Sequence, residues 1–437
     1  MEKNNLISKI NLGVFDAQFQ LLYGSSPNVI EKQKERYIEA IANFSELYPQ
    51  QNDIYIFSAP GRTEIGGNHT DHQNGCILAA AVNLDVIAVV AFHHDGIIRL
   101  KSKGYEPDIV DIAKLDCNSS EYGSSAAIIR GMVARFSEYG IKSDGFDAYT
   151  TSDVLSGSGL SSSAAFEVLI GTIIDSQYNN GNIGAVEIAK ISQYAENVYF
   201  GKASGLMDQM VCSVGGFVNI DFLNPKQPKI KKQVFDFEKS GYSLCITDTK
   251  GNHTDLTSDY VSVPTEMKHI AAQFNKTVLR EVDENEFYEM IPTLRNSCSD
   301  REILRAAHFF AENKRANQEA EALSNNNMPQ FLKLVRESGD SSANLLQNLY
   351  SVQKLPAQEI PLAIMLSKRI IGDNGAVRVH GGGFAGTIQA FVPNDCKNRY
   401  VTEMNRIFGD ESCHILQIRE LGGVDFLALC SDLNKEH

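Results

Sequence analysis

The stretch Leu155-Ser156-Gly157-Ser158-Gly159-Leu160-Ser161-Ser162-Ser163-Ala164-Ala165 joins two glycines to a run of three serines and leads into an apolar, helix-prone segment. Glycine accepts positive φ and lets the backbone approach a ligand closely. Small hydroxyl residues open a helix, where free N–H groups and the positive end of the dipole attract an anion. The stretch therefore predicts a phosphate-binding loop at a helix N-terminus, with an ordinary Gly/Ser turn as the alternative. It is not a P-loop, because no Gly-Lys-Ser/Thr follows the glycines.

The segments on either side of this loop predict a strand, the loop and a helix in succession. Residues 145–150 have the pattern of a strand, and the apolar residues after the loop predict a helix over 164–178. A second helix is predicted over 186–198 and ends near Glu196. Further on, Asp208 stands among methionines and a valine, where a carboxylate either caps a helix or has a functional role.

A second polar segment, Ala59-Pro60-Gly61-Arg62-Thr63-Glu64-Ile65-Gly66-Gly67-Asn68-His69-Thr70-Asp71-His72-Gln73-Asn74-Gly75, lies between a predicted strand and the apolar run 76–93, which predicts buried sheet. We expect a polar loop held between buried strands, which is a favourable place for a functional site. Arg62, His69 and Asp71 could bind a polyol through charge-assisted hydrogen bonds. A solvated hairpin loop is the alternative.

The C-terminal half has a different organisation. Helical patterns dominate residues 264–350, and the glycine-rich turn Gly381-Gly382-Gly383-Phe384-Ala385-Gly386-Thr387 lies between two predicted strands. A turn with so many glycines indicates a backbone close to another group. The turn-rich stretch 225–232 precedes a new predicted strand. We therefore expect an N-terminal domain, residues 1–235, and a C-terminal domain, residues 236–437.

Composition bounds the class of protein. The chain has 437 residues, 43% hydrophobic and 22% charged, which fits about two or three globular domains. Its net charge of −14 disfavours nucleic acid and anionic membranes as partners, and an anionic substrate such as ATP then needs a local positive group or a metal. The eight cysteines form no CxxC pair, so we expect buried free thiols. With a polar N-terminus and no long apolar run, the sequence predicts a cytoplasmic protein.

Three motifs in this order resemble those of the GHMP small-molecule kinase family, and within it those of the galactokinases. They are Gly61-Arg62…His69-Thr70-Asp71, the Gly/Ser stretch from Gly157 to Ala165, and the glycine-rich turn from Gly381 to Thr387. The segment Gly205-Leu206-Met207-Asp208-Gln209 is similar to the family's catalytic segment. The resemblance implies an α+β fold of two domains with the active site in the cleft between them. It also implies an enzyme that phosphorylates the anomeric hydroxyl of galactose with ATP. We expect the protein to be a monomer.

The resemblance implies a role for each motif residue. Asp208 would accept or orient the proton of the anomeric hydroxyl, and Arg62 would stabilise both this carboxylate and the transferring phosphoryl group. The implied sugar-binding residues are Asn68, His69, Asp71, Gly205 and Tyr260. The ATP phosphates would lie on Gly157, Ser158, Gly159, Leu160, Ser161, Ser162, Ser163 and Ala164. Mg²⁺ would be held by Ser163 and Glu196, because it prefers hard oxygen ligands.

Two positions depart from the galactokinase pattern. Asn68 stands where most members carry a glutamate, and His72 replaces a usual tyrosine. A glutamate would repel a C6 carboxylate by about 1 kcal/mol or more near a surface, whereas the neutral Asn68 would not, so galacturonate is an alternative substrate. A catalytically inactive sugar sensor is a further alternative, which the intact Ser163-Ala164, Glu196 and Asp208 disfavour.

Overall fold

The structure, a computed structural model, describes residues 1–155, 159–251 and 256–429. Within these ranges the larger of two sheets has eight strands: β1 (Tyr55–Gly66), β2 (Cys76–Phe92), β3 (Ile97–Ser102), β4 (Asp108–Asp111), β5 (Phe146–Ser152), β6 (Phe217–Asp221), β7 (Lys229–Gln233) and β12 (Val424–Asp425). Their order is β12-β1-β2-β5-β3-β4, with β6 paired to both β2 and β7. All neighbours are antiparallel except β3 and β5.

The second sheet belongs to the C-terminal half. Its described strands are β8 (Tyr242–Asp248), β9 (Ala376–Val379), β10 (Thr387–Pro393) and β11 (Cys413–Leu416), in the antiparallel order β11-β8-β10-β9. The chain passes from the first sheet to the second between Gln233 and Tyr242, and the short strand β12 returns to pair with β1. The domain division at residue 235 stays a prediction.

Thirteen α-helices lie in the described part of the chain and cover the sheets. They are α1 (Lys3–Asn11), α2 (Asp16–Tyr23), α3 (Pro27–Leu47), α4 (Ser125–Glu138), α5 (Ser162–Asn179), α6 (Ala185–Tyr194), α7 (Met207–Val214), α8 (Thr257–Gln273), α9 (Glu284–Leu294), α10 (Asp300–Ser324), α11 (Met328–Ser341), α12 (Glu359–Ile371) and α13 (Lys397–Phe408). A π-helical segment, Ala195–Phe200, continues α6 and carries Glu196. The mixture of helices with two largely antiparallel sheets is the α+β class that the sequence predicts.

Strand β1 is longer than the sequence predicts. We expected the strand to end at residue 58 and a polar loop to follow, but β1 continues through Gly66. Pairing with β2 overrides the turn preference of Pro60 and Gly61, and an irregularity in the register between Pro60 and Arg62 accommodates them. A second irregularity lies between Glu64 and Gly66. Arg62 therefore stands on a rigid strand rather than on a loop.

The N-terminal helices form a layer of their own over the larger sheet. The helical spacing of apolar residues over 28–48 predicts an amphipathic helix, which α3 confirms. Tyr37, Ile41 and Phe44 on its apolar face are fully buried. These side chains pack with α1 and α2 against β1, β2 and β5, where Ile56 and Val89 are also fully buried.

A buried carboxylate, Asp85 on β2, anchors this layer. Its Oδ2 accepts hydrogen bonds from the hydroxyl of Tyr23 at 2.6 Å, from Ser58, and from Nη1 of Arg419 at 3.1 Å. Nη1 of Arg36 on α3 donates to Oδ1 at 2.7 Å. Helices α2 and α3, strand β1 and the C-terminal segment thus share one negative charge.

The cysteines follow the expectation from composition. All seven that the structure describes carry free thiols, and five of them are buried. Cys430 lies outside the described residues. In the described ranges, none of the helices combines the length and apolar character that crossing a bilayer requires.

Candidate active site

Arg62 on β1 and Asp208 in the first turn of α7 meet in space. Nε of Arg62 donates to Oδ1 of Asp208 at 2.8 Å, and its Nη2 lies 2.6 Å from Oδ2. The hydroxyl of Ser161 donates to the same carboxylate, and Nη1 of Arg62 donates to the carbonyl oxygen of Gly159. The structure therefore brings both residues predicted to be catalytic against the predicted phosphate loop.

The environment of Asp208 keeps its carboxyl group ionised. Burial by itself raises the pKa, but Arg62 and the hydroxyl of Ser161 outweigh this effect and hold the pKa below the usual 3.8. The side chain of Asp208 stays 32% exposed, whereas that of Arg62 is 9% exposed. The alternative that Asp208 caps a helix is wrong, because Leu206 is the N-cap residue of α7 and the carboxylate turns to Arg62 instead.

The described part of the phosphate loop has the backbone expected of a tight anion-binding turn. Gly159 and Ser161 both have positive φ, +74° and +58°. Helix α5 begins at Ser162, within the serine run and two residues before the predicted start at 164. Ser161, the N-cap residue of α5, directs its hydroxyl to Asp208 and makes no capping bond. The first N–H groups of α5 therefore lack this partner and can bind an anion. Gly157 and Ser158 of the predicted loop lie outside the described residues.

Strand β1 and the loop are in direct contact. The backbone N–H of Arg62 donates to the carbonyl oxygen of Leu160 at 3.1 Å. A Cβ on Gly61 would stand only 2.8 Å from that same oxygen, so glycine is required for the two segments to meet. Leu160 and Ala164 are buried and anchor the loop in the core.

A cleft of about 540 Å³ opens beside the start of α5, and Ser162, Ser163 and Glu196 line one wall of it. Its volume is that of a small-molecule site. Sequence reasoning missed the opposite wall, which β3, the turn after it and the start of α4 provide through Ser102, Lys103, Tyr105, Pro107, Ser124, Ser125 and Ile128. These residues have no motif of their own, and only the folding of β3 and α4 toward α5 brings them here.

Glu196 and Ser163 offer a carboxylate and a hydroxyl to the same cleft. The carboxylate is 3% exposed and accepts from Nζ of Lys202 and from Nε2 of Gln209, both at 2.8 Å. Gln209 also donates to the buried Glu167 at 3.0 Å. Burial and the nearby Glu196 raise the pKa of Glu167 well above its usual value. The donor set of Glu196 and Ser163, both hard oxygen ligands, fits Mg²⁺.

Of the residues predicted to bind the sugar, Asn68, His69 and Asp71 follow β1. Gly205 precedes α7, and Tyr260 lies on α8. Asp71 is close to Gly205, where a Cβ would stand 3.1 Å from its Oδ2. Burial and the neighbouring His72 lower the pKa of His69 to about 4, so its ring is neutral at pH 7. Tyr260 packs edge-on against the ring of Phe384 in the glycine-rich turn.

Three consecutive carbonyl oxygens of the glycine-rich turn accept hydrogen bonds from these residues. Gly381 accepts from Nδ2 of Asn68 at 2.8 Å, Gly382 from Nε2 of His69 at 3.0 Å, and Gly383 from the hydroxyl of Tyr260 at 2.9 Å. The glycine-rich turn therefore contacts the segment that follows β1 and Tyr260 of α8, so these three segments can contribute to one site.

Asn68 is 1% exposed and its amide is held from several sides. Besides its bond to Gly381, Nδ2 donates to Glu64 at 2.9 Å, and Oδ1 accepts from Nδ2 of Asn348 at 2.9 Å. Nη2 of Arg378 donates to the same oxygen of Glu64 at 2.9 Å. Sequence reasoning missed Asn348 and Arg378, which no local pattern marks, and it missed Gln209 although that residue adjoins Asp208.

Comparison with known proteins agrees with this fold. A family model described as GHMP kinases N terminal domain matches residues 123–216, and one described as Galactokinase galactose-binding signature matches residues 42–92. Among solved structures, the galactokinase of Lactococcus lactis complexed with galactose has a TM-score of 0.74 at 21% identity, covering 88% of this chain and 98% of that one. The mevalonate kinase of Methanococcus jannaschii has a TM-score of 0.60 at 16% identity, covering 84% and 98%. The fold is that of the GHMP kinases.

Curated relatives narrow the class further. The galactokinase of Actinobacillus pleuropneumoniae serotype 5b is 31% identical over 375 residues, which are 85% of this chain and 92% of that protein. The galactokinase of Bacillus subtilis is 27% identical over 378 residues, 84% and 91% of the two chains. The chain belongs to the galactokinase family.

Proposed function

We propose that this protein transfers the γ-phosphoryl group of ATP to the anomeric hydroxyl of galactose, with Asp208 and Arg62 as the catalytic residues. The observation that carries this proposal is the meeting of the Asp208 carboxylate, the Arg62 guanidinium and the Ser161 hydroxyl at the start of α5. Phosphoryl transfer depends on positioning and charge stabilisation more than on covalent chemistry, so a carboxylate and a guanidinium meet its needs.

The ionised state of Asp208 fits a group that accepts or orients the proton of a sugar hydroxyl. Its lowered pKa keeps the carboxylate in the acceptor form at neutral pH, and its exposed third leaves an oxygen accessible to a substrate. Arg62 adds positive charge beside the carbonyl of Gly159, where the loop would hold phosphates. It can therefore stabilise the carboxylate and the phosphoryl group together.

ATP is the proposed occupant of the cleft beside α5, with its phosphates at Ser161, Ser162 and Ser163. The N-terminus of α5 supplies the free N–H groups that favour an anion. Bound Mg²⁺, held by Ser163 and Glu196, would neutralise phosphate charge. Glu196 is paired with Lys202 in this structure, so the metal and this ammonium group compete for one carboxylate.

The charges around Asn68 favour galactose over galacturonate. Asn68 donates to the Glu64 carboxylate, which is paired with Nη2 of Arg378 at 2.9 Å. A sugar carboxylate at this place would add a second negative charge beside that pair, whereas a neutral C6 hydroxyl adds none. We also propose a monomer, because one chain supplies every proposed site residue. A cytoplasmic location fits the free thiols of the seven described cysteines.

A coupled assay of ADP release tests the proposal with galactose and galacturonate as parallel substrates. We expect turnover with galactose, a galactose kcat/KM above that for galacturonate, and a fall in kcat of about 10²- to 10⁴-fold in Asp208→Asn. Asp340→Asn, on an exposed ion pair with Lys368, is the matched control and should keep the parental rate. Galactose binding without turnover in the parental protein would favour the sensor, and a higher kcat/KM for galacturonate would overturn the choice of substrate.

A further inference from the structure

Three side chains with different donor atoms converge on the outer surface of the C-terminal helices. His269 lies on α8, Cys298 directly precedes α10, and Glu302 lies in the first turn of α10. Their donor atoms all lie within 4.8 Å of one another, and Nδ1 of His269 is 2.5 Å from Oε1 of Glu302. None of the three lines the cleft beside α5. We propose that His269, Cys298 and Glu302 form a zinc-binding site.

The donor set selects the metal. An imidazole nitrogen, a thiolate sulfur and a carboxylate oxygen are the three ligand types that zinc takes, whereas Mg²⁺ and Ca²⁺ require oxygen alone. Zinc–ligand distances of about 2.0–2.3 Å in a tetrahedron place the donors roughly 3.5 Å apart. Separations of up to 4.8 Å can close to this value by small side-chain rotations. The 2.5 Å contact between Nδ1 of His269 and Oε1 of Glu302 would open as a metal binds between these two atoms.

The surroundings already orient the Glu302 carboxylate. Its Oε2 accepts from the backbone N–H of Ser299 at 2.6 Å and from the Ser299 hydroxyl at 2.8 Å, as part of the capping box of α10. This leaves Oε1 to turn toward a metal. Hydrogen bonds of this kind fix a ligand in place before the metal arrives.

One side of the proposed site is buried and the other is exposed to solvent, so an ion can enter from the exposed side. The Cys298 side is buried, with 8% of the residue exposed, while the side chain of His269 is 45% exposed. A metal can therefore enter past the imidazole and retain a water as its fourth ligand. Bound there, it would tie α8, which carries Tyr260, to α10, whose His308 donates to the backbone carbonyl of Asn68 at 3.0 Å.

Cobalt serves as the spectroscopic probe, because thiolate ligation gives Co²⁺ an intense near-ultraviolet charge-transfer band. The full-length protein, without a histidine tag and freed of metal by a chelator, is titrated with Co²⁺ in excess Mg²⁺, and zinc affinity is then measured by calorimetry. We expect one equivalent of Co²⁺ with the thiolate band, which Zn²⁺ displaces. Cys298→Ser should lose the band, and His269→Gln and Glu302→Gln should weaken zinc binding by about tenfold or more.

Two features of the variants keep the test decisive. Glu302→Gln preserves the capping box, so a loss of zinc affinity in this variant cannot be ascribed to unwinding of α10. Cys117→Ser, which removes an exposed thiol elsewhere, is the matched control and should bind as the parental protein does. Absence of a thiolate band in the parental protein, or parental binding by Cys298→Ser, would overturn the proposal. Metal binding is measured without sugar or ATP, so the result is independent of the proposed kinase activity.

Discussion

Asp85→Asn should lower the free energy of unfolding more than the loss of a charge at the surface does, because it removes the negative charge that two buried arginines share. Arg419 is 0% exposed in its side chain and Arg36 is 9% exposed, and both donate to this one carboxylate. Asparagine keeps the shape and one acceptor oxygen for Tyr23 and Ser58. The substitution therefore measures the effect of the lost charge without a change in side-chain packing.

The magnitude follows from the number of cations left without a partner. A pair of unit charges about 4 Å apart gains about 4 kcal/mol at an effective dielectric of about 20. Removing one partner of a buried pair costs about 3–5 kcal/mol in measured cases, because the remaining charge stays buried. Arg419 loses its carboxylate partner, whereas Arg36 keeps Asp153 at 3.2 Å, so we expect a loss within this range, about 3–5 kcal/mol.

Urea unfolding followed by circular dichroism measures this loss at neutral pH. The matched control is Glu39→Gln on the same helix as Arg36, because Glu39 pairs with Lys103 at 2.7 Å but both side chains are more than half exposed. Exposed pairs contribute about 0–1 kcal/mol, so this variant should unfold near the parental urea concentration. If Asp85→Asn lost no more free energy of unfolding than Glu39→Gln, the buried charge would not anchor the N-terminal helices as inferred.

Three further predictions concern the glycine-rich turn and two titrating carboxyls. Gly383→Ala should lower kcat/KM by about tenfold or more, because φ is +80° and the new Cβ would stand 2.1 Å from the carbonyl oxygen of Asn348. The control, Gly104→Ala, has a similar φ of +85° but open space around it, and it should keep the parental rate in the same assay. Glu319 is fully buried, and its pKa is raised well above 4.5. At pH values just above 4.5 the folded state therefore keeps the proton of Glu319, whereas the unfolded state has lost it. The free energy of unfolding consequently falls as the pH rises above about 4.5. Glu319→Gln removes this titration, and its urea midpoint relative to the parental protein should rise between about pH 5 and pH 8; a difference independent of pH would contradict the assignment. The pKa of Asp208 is lowered, so its carboxylate stabilises the fold above the unfolded value of 3.8, and this contribution is lost as the pH falls below that value. The pH profile of kcat/KM should therefore show no acid limb from Asp208 above about pH 5. An acid limb that disappears in Asp208→Asn would refute this prediction.

Local patterns predicted the elements that local chemistry governs. The amphipathic spacing of α3 predicted residues 28–48, and the helix spans Pro27–Leu47. The glycines and serines before α5 predicted a helix start at the serine run, and α5 begins at Ser162. These features depend on backbone preferences and on side chains a few residues apart, which a single sequence displays directly.

The same local reasoning failed where pairing with a distant strand mattered. Pro60 and Gly61 are turn residues by preference, and we expected the strand to end before them. Pairing of β1 with β2 supplies hydrogen bonds along the whole segment and outweighs that preference. The strand consequently extends to Gly66 and gives Arg62 a rigid base.

The sequence by itself determined the motifs, their chemical types and the helix start that a phosphate would use. Tertiary structure decided which of these groups touch: Arg62 and Asp208 are 146 positions apart, and Asn68 and Asn348 are 280 apart, yet each pair is hydrogen-bonded. It also supplied the far wall of the cleft and the partners that set the charge state of Asp208. The physical reason is that intrinsic conformational preferences act over a few residues, whereas contacts between distant segments form only when the whole core packs.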